Sequence, residues 1–292
     1  MGFERNGAVP RVEVAARAGA CYGVERALDL TLDAAKSQEP VHTLGPLIHN
    51  PRVVADLEEK GVGVAASLDE AGEGTVIIRS HGVVPEVVEE AKRRGNRVVD
   101  ATCPYVKSVH AAAQRLVREG YRLVIVGEAG HPEVEGIVGH AGGDALVVAD
   151  PSELQGADLG SRVGVVVQTT QSLPRLQAVV SELVGRVREV HVVNTICSAT
   201  SERQASARAL AARADAMVVI GGRNSGNTRR LFEICSEECA RTFHIEDEGE
   251  LDAVDFAGAS LIGVTAGAST PAAHIDAVIE RLHDLLGAVC NG

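Results

Sequence analysis

Short apolar runs recur along the chain, and longer stretches with helical spacing lie between them. Eleven runs read as strands: residues 12–16, 41–44, 75–79, 97–100, 122–126, 145–149, 162–167, 189–194, 216–220, 242–245 and 260–264. Most are nearly continuously apolar, the pattern of strands covered by helices on both faces. Segments such as 85–94, 106–119 and 201–214 place apolar residues at the helical period. Strand alternating with helix predicts an α/β fold with parallel sheets and right-handed crossovers. No Pro/Ser-rich linker or low-complexity stretch marks a boundary. The strands therefore fit one large sheet or several small ones.

Residues with chemistry to offer fall just past the carboxyl ends of these strands. They are Cys21, His49, His81, Cys103, His131, Thr169, Cys197, Asn224 to Asn227 and Ser269. Open α/β sheets bind ligands at that end. Three small sheets aiming those ends at one centre would gather all of these residues.

Composition narrows the function classes. A chain of 292 residues holds two or three domains. Its net charge of −12 argues against a nucleic-acid binder, which needs clustered cations, but leaves room for a local anion pocket. Three Tyr, four Phe and no Trp offer no base-stacking platform. The first residues, MGFERNGAVP, lack the apolar core of a signal peptide. Asn6 breaks the myristoylation pattern that Met1-Gly2 begins. No apolar run nears the ~20 residues of a membrane span. The expectation is a soluble cytoplasmic protein with no nucleic-acid or membrane partner. Six Cys in such a chain point to ligands, catalysts or core residues rather than disulfides.

Three Cys share the context strand, Cys, helix: GACYGVERAL (Cys21), VVDATCPYVKSVH (Cys103) and VVNTICSATSERQ (Cys197), spaced by 82 and 94 residues. A helix N-terminus favours thiolate, the metal-binding form, and Pro104 suits a first helical position. Structural zinc would ask for a fourth ligand, and an iron–sulfur cube usually takes four Cys. Three would leave one corner open for substrate chemistry. The plainer reading makes all three small buried hydrophobes. Cys235 and Cys239, in LFEICSEECA, read as core or surface thiols, and Cys290 lies in the C-terminal tail.

Three further segments carry His beside turn residues: PLIHNP (His49, Asn50), IIRSHGVVP (His81) and EAGHPEVEG (His131). His donates to phosphate oxygens or moves protons near neutral pH. Glu133, two residues past His131, reads as reaching the same pocket from one loop, with Glu135 solvated. GGRNSGNTRRL resembles a phosphate-binding loop but carries Asn227 where the Lys belongs. Its backbone N–H groups, with Ser225, Gly226 and Asn227 at a helix start, still suit an anion. GVTAGASTP (Ser269) has the same design, and QTTQS (Gln168–Ser172) adds hydroxyls. Ordinary helix capping explains each alone. Together they suggest a diphosphate-sized ligand.

At this point GACYGVERA, LGPLIHNPRVVADLEEKGV, SHGV, DATCPYVKSVH, GHPEVEG, QTTQS, TICSATSERQ, NSGNTRRL and TAGAS resemble the LytB/IspH family of 4-hydroxy-3-methylbut-2-enyl diphosphate reductases. The resemblance runs in order over residues 12–283. It implies a trefoil of three small parallel-sheet α/β units around a central cavity. Their bounds are 22–103, 104–196 and 197–292, with 1–21 packing against the third. It implies one [4Fe–4S] cluster per subunit on Cys21, Cys103 and Cys197. His49 and His81 match contacts to the substrate diphosphate, and His131 matches a third pocket histidine. Glu133 matches the proton-relaying acid and Thr169 a threonine near the substrate hydroxyl. Ser225, Asn227 and Ser269 match the polar diphosphate seat. Gly226 departs from the usual Ser, losing a hydroxyl but keeping an N–H, so diphosphate binding is expected to be modestly altered. Tyr22 and Pro46 also depart from the common residues.

The implied reaction is reductive dehydroxylation of an allylic diphosphate alcohol to isopentenyl and dimethylallyl diphosphate, the last step of the non-mevalonate isoprenoid pathway. Electrons would arrive singly from reduced ferredoxin or flavodoxin. Glu133, Thr169 and His131 would manage protons. Two other readings compete: a quinolinate-synthase-like cluster-dependent lyase, which needs an Arg-rich dicarboxylate site, and a non-enzymatic phosphate-ligand-binding protein with its Cys in the core.

Overall fold

A computed structural model describes residues 10–290. Residues 1–9, on which the signal-peptide and acylation readings rest, lie outside the described residues. Its strands are β1 (Arg11–Val14), β2 (Val41–Leu44), β3 (Val62–Ala65), β4 (Thr75–Ile78), β5 (Arg97–Asp100), β6 (Arg122–Val126), β7 (Ala145–Val148), β8 (Arg162–Val167), β9 (Glu189–Val192), β10 (Ala216–Ile220), β11 (Thr242–Ile245) and β12 (Leu261–Ala266). The helices are α1 (Tyr22–Ala34), α2 (Pro51–Glu59), α3 (Leu68–Ala71), α4 (Pro85–Arg93), α5 (Pro104–Arg118), α6 (Pro132–His140), α7 (Leu173–Val184), α8 (Ser198–Ala211), α9 (Gly226–Glu238) and α10 (Ala272–Cys290).

The chain divides into two compact units, residues 22–198 and residues up to Cys21 joined with those from Ala199 onward. The first holds two parallel sheets, ordered β3-β2-β4-β5 and β7-β6-β8-β9. The second holds one, ordered β1-β12-β10-β11. Read from β10 and closed by β1, this last sheet repeats the order of the other two: second, first, third, fourth. Three small sheets therefore form, each with its own helices, rather than one large sheet.

Central strands alternate residues between two buried layers, as strands sandwiched by helices must. On β8, Val163, Val165 and Val167 enter one apolar cluster while Val166 enters another. On β10, Ala216, Val218 and Ile220 face one layer, and Met217 and Val219 the other. The fourth strands β1, β5 and β9 are edge strands with exposed ends. They are thus less covered than the expectation of two-sided burial.

β3 is a twelfth strand that apolar patterning does not reveal. Its four residues, VGVA, include Gly63, which pairs with His42. A Cβ there would lie 2.6 Å from the His42 ring, so the position requires the residue that most weakens a strand signal. Strand ends also shift by a few residues: β1 stops at Val14, β9 at Val192, and β12 runs to Ala266. GHPEVEG is helical from Pro132 rather than a loop. Proline at the first position with His131 as cap starts α6 there. Cys235 and Cys239 are buried in the core beside Leu231 and Leu210.

Candidate active site

The three repeats place Cys21, Cys103 and Cys197 identically. Each follows a fourth strand and immediately precedes a helix: α1, α5 and α8. Cys103 is the N-cap of α5, with Pro104 at the first position. Each Cys N–H donates to the carbonyl two residues past the third strand of its own sheet. The acceptors are Ala268 at 3.2 Å, Ser80 at 3.0 Å and Thr169 at 3.1 Å, respectively. All three thiols are half-buried and outside any disulfide. One backbone design, used three times, explains why Cys recurs at near one-third spacing.

Within residues 22–198, the loops after β2, β4 and β6 bring three imidazoles together. Ring centroids lie 4.3 Å apart for His49–His81, 5.3 Å for His49–His131 and 5.5 Å for His81–His131. One nitrogen from each falls within 4.8 Å of the others, so a single phosphate could meet all three. His131 Nδ1 caps α6 by accepting from Glu133 N–H at 3.1 Å. Its neutral form therefore carries the proton on Nε2. Burial first, then His49, His131 and Arg79, hold the His81 pKa well below the ordinary imidazole value. The His81 ring is therefore held neutral, and an anionic ligand beside it would favour the charged form.

Glu133 sits in the first turn of α6 with 1% exposure. Thr169, past β8, secures both its oxygens: the backbone N–H donates to Oε1 at 2.6 Å and the hydroxyl to Oε2 at 2.8 Å. Those bonds favour the carboxylate, yet burial outweighs them and pushes the Glu133 pKa up to about 7. A buried carboxyl poised at neutral pH is a candidate acid. Glu135, by contrast, is exposed.

In the other unit, Ser225 caps α9 by accepting from Thr228 N–H at 3.3 Å. Gly226 and Asn227 form the first turn, and all three are buried. Asn227 is 4% exposed, yet neither amide atom finds a partner among the described residues. Leaving both atoms unsatisfied costs about 1–3 kcal/mol each, which a polar ligand would recover. The turn carrying Ser269 adjoins this helix start. A Cβ on Gly267 would lie 3.6 Å from Asn227 Nδ2.

Two supporting residues were not among the sequence candidates. Arg79 Nε donates to Gly82 O at 3.4 Å, across the turn that holds His81. His110, seven residues along α5 from Cys103, stacks on His140 with ring centroids 4.0 Å apart. Its only sequence signal is a histidine on an apolar helical stripe, which reads as core. Gly82 closes the His81 turn at φ +76, and a Cβ there would meet His110 at 3.1 Å and Thr102 at 3.2 Å. Gly82→Ala is expected to cost about 1–2 kcal/mol from the left-handed backbone alone and to raise KM, checked by urea unfolding and steady-state kinetics.

Residues 12–283 match the family described as LytB protein. The 4-hydroxy-3-methylbut-2-enyl diphosphate reductase of Geobacter sulfurreducens is 51% identical, over 94% of this chain and 97% of its own length. Its namesake in Pelobacter propionicus is 47% identical, over 94% and 98%. A solved structure of (E)-4-hydroxy-3-methyl-but-2-enyl diphosphate reductase, described as the terminal enzyme of the non-mevalonate pathway, shares 46% identity. It covers 94% of this chain and 99% of its own at a TM-score of 0.70. The Plasmodium falciparum structure of an E-1-hydroxy-2-methyl-but-2-enyl-4-diphosphate reductase shares the fold, at 24% identity and a TM-score of 0.89, covering 93% and 87%.

Proposed function

This chain belongs to the LytB family, and we propose that it reduces (E)-4-hydroxy-3-methylbut-2-enyl diphosphate to isopentenyl and dimethylallyl diphosphate. One allylic C–O bond breaks. Two electrons and two protons enter, one proton leaving with the hydroxyl as water and the other ending on carbon. The observation that carries this reading is Glu133, a buried carboxyl with a pKa of about 7 tied to Thr169.

Cys21, Cys103 and Cys197 fit an iron–sulfur group. Thiolate is the donor such clusters select, and each of these half-buried thiols stands at a helix start with its backbone held alike. A [4Fe–4S] cluster on these three Cys would pass the two electrons one at a time, drawn from reduced ferredoxin or flavodoxin.

The chain's own groups bind the diphosphate and supply protons. His49, His81 and His131 donate N–H groups to its oxygens. Ser225, the Gly226 N–H, Asn227 and Ser269 form the rest of the seat, which fixes the allyl group for reaction. Near pH 7 about half of the Glu133 carboxyls hold a proton. A proton on Oε2 reverses the bond to Thr169, leaving that hydroxyl to donate toward the departing oxygen. His131, beside this pair, assists, and the diphosphate offers a second proton source.

The direct test incubates the reconstituted protein anaerobically with the allylic diphosphate and a reduced viologen dye. Isopentenyl and dimethylallyl diphosphate are the expected products by mass spectrometry. A protein with full iron and sulfide that consumes no substrate would overturn the reading. Asn227→Ala is expected to raise KM about tenfold with kcat changed little, because it removes hydrogen bonds shared by ground and transition states.

A further inference from the structure

The turns after the three third strands match atom for atom in their backbone bonds. In each, the first residue past the strand accepts from the N–H of the fourth. Gly82 donates to Arg79 at 3.0 Å, Gln171 to Gln168 at 3.0 Å and Thr270 to Gly267 at 3.1 Å. The second residue of each turn (Ser80, Thr169 or Ala268) accepts the Cys N–H. The third residues are therefore equivalent corners, and they are His81, Thr170 and Ser269.

Two of those corners already belong to the diphosphate seat proposed above. The remaining corner has no assigned role. Its neighbour Thr169 is committed, since both its N–H and its hydroxyl bind Glu133. Thr170 is half-buried and carries a neutral O–H donor at the corner where the other two turns carry a His and a Ser. We infer that Thr170 is a further substrate-binding residue, whose hydroxyl donates to a diphosphate oxygen from the third turn. The two adjacent threonines then divide the work: Thr169 serves the proton donor, and Thr170 the anion. This inference rests on the diphosphate reading of the same site.

The test compares Thr170→Val, which keeps shape and loses the hydroxyl, with Thr170→Ser, which keeps the hydroxyl. Kinetics with the allylic diphosphate are paired with calorimetric titration of inorganic diphosphate into the reconstituted protein. The valine variant is expected to raise KM and weaken diphosphate binding, each about tenfold, with kcat and its pH profile retained. The serine variant should recover both to within about threefold. Unchanged KM and diphosphate affinity in the valine variant overturn the inference. So does a fall in kcat alone, which would put Thr170 in the proton path. If the valine variant does not fold, Thr170→Ala carries the same comparison. Wild-type protein that shows no turnover would instead defeat the underlying function.

Discussion

Glu133→Gln is expected to lower turnover at least a hundredfold and, at alkaline pH, to make the protein more stable. Removing a positioned general acid costs about 10²–10⁴ in rate. The stability gain follows from linkage. Folding raises the Glu133 pKa from 4.5 to about 7, so the folded state holds a proton that the unfolded chain has released. That stability is fully present below pH 4.5 and is lost as pH rises through 7. At pH 8 the ionised carboxylate costs about 3 kcal/mol, a penalty the amide does not incur. Urea unfolding at pH 5 and pH 8 checks this: the variant gains only at the higher pH. Equal gains at both values, or none, would refute the burial argument. Wild-type kcat should fall tenfold per unit above about pH 7, a limb absent from the residual rate of the variant.

Cys103→Ala should give an anaerobically purified protein without visible absorption and without turnover. A cluster left with two protein ligands loses one anchor and the fixed geometry of the helix start that supplies it. Cys235→Ala is the control. Cys235 is wholly buried, and burial pushes its thiol up to about 12, the protonated form that does not bind metal. This variant keeps its colour and loses only packing. Full colour in Cys103→Ala would defeat the ligand assignment.

Sequence patterning captured what depends on local periodicity. Eleven of the strands, the strand–Cys–helix contexts and the helix starts at Pro104 and Gly226 are all written in short stretches of chain. β3 escaped because close packing against His42 demands Gly63 in a strand of four residues. The helical start of GHPEVEG is marked by Pro132 but masked by the turn residues around it. The meeting of His49, His81 and His131 is only an inference from strand ends, since their loops lie 32 and 50 residues apart and His131 follows a strand of a different sheet from the other two. The equivalence of the three turns was invisible, because Ser80, Thr169 and Ala268 contribute the same carbonyl through different side chains. His110 could not be told from a core residue, since what marks it is the neighbour it stacks on.

The sheet that carries Cys21 is finished by both ends of the chain, β1 lying against β12. During translation the first thiol to leave the ribosome therefore waits for β12, the last of the described strands, to emerge. Its backbone anchor at Ala268 is synthesised nearly 250 residues after it. The backbone that holds Cys21 is accordingly completed only once β12 has been made, and a nascent chain stalled before Leu261 would present two prepared thiols and one unplaced.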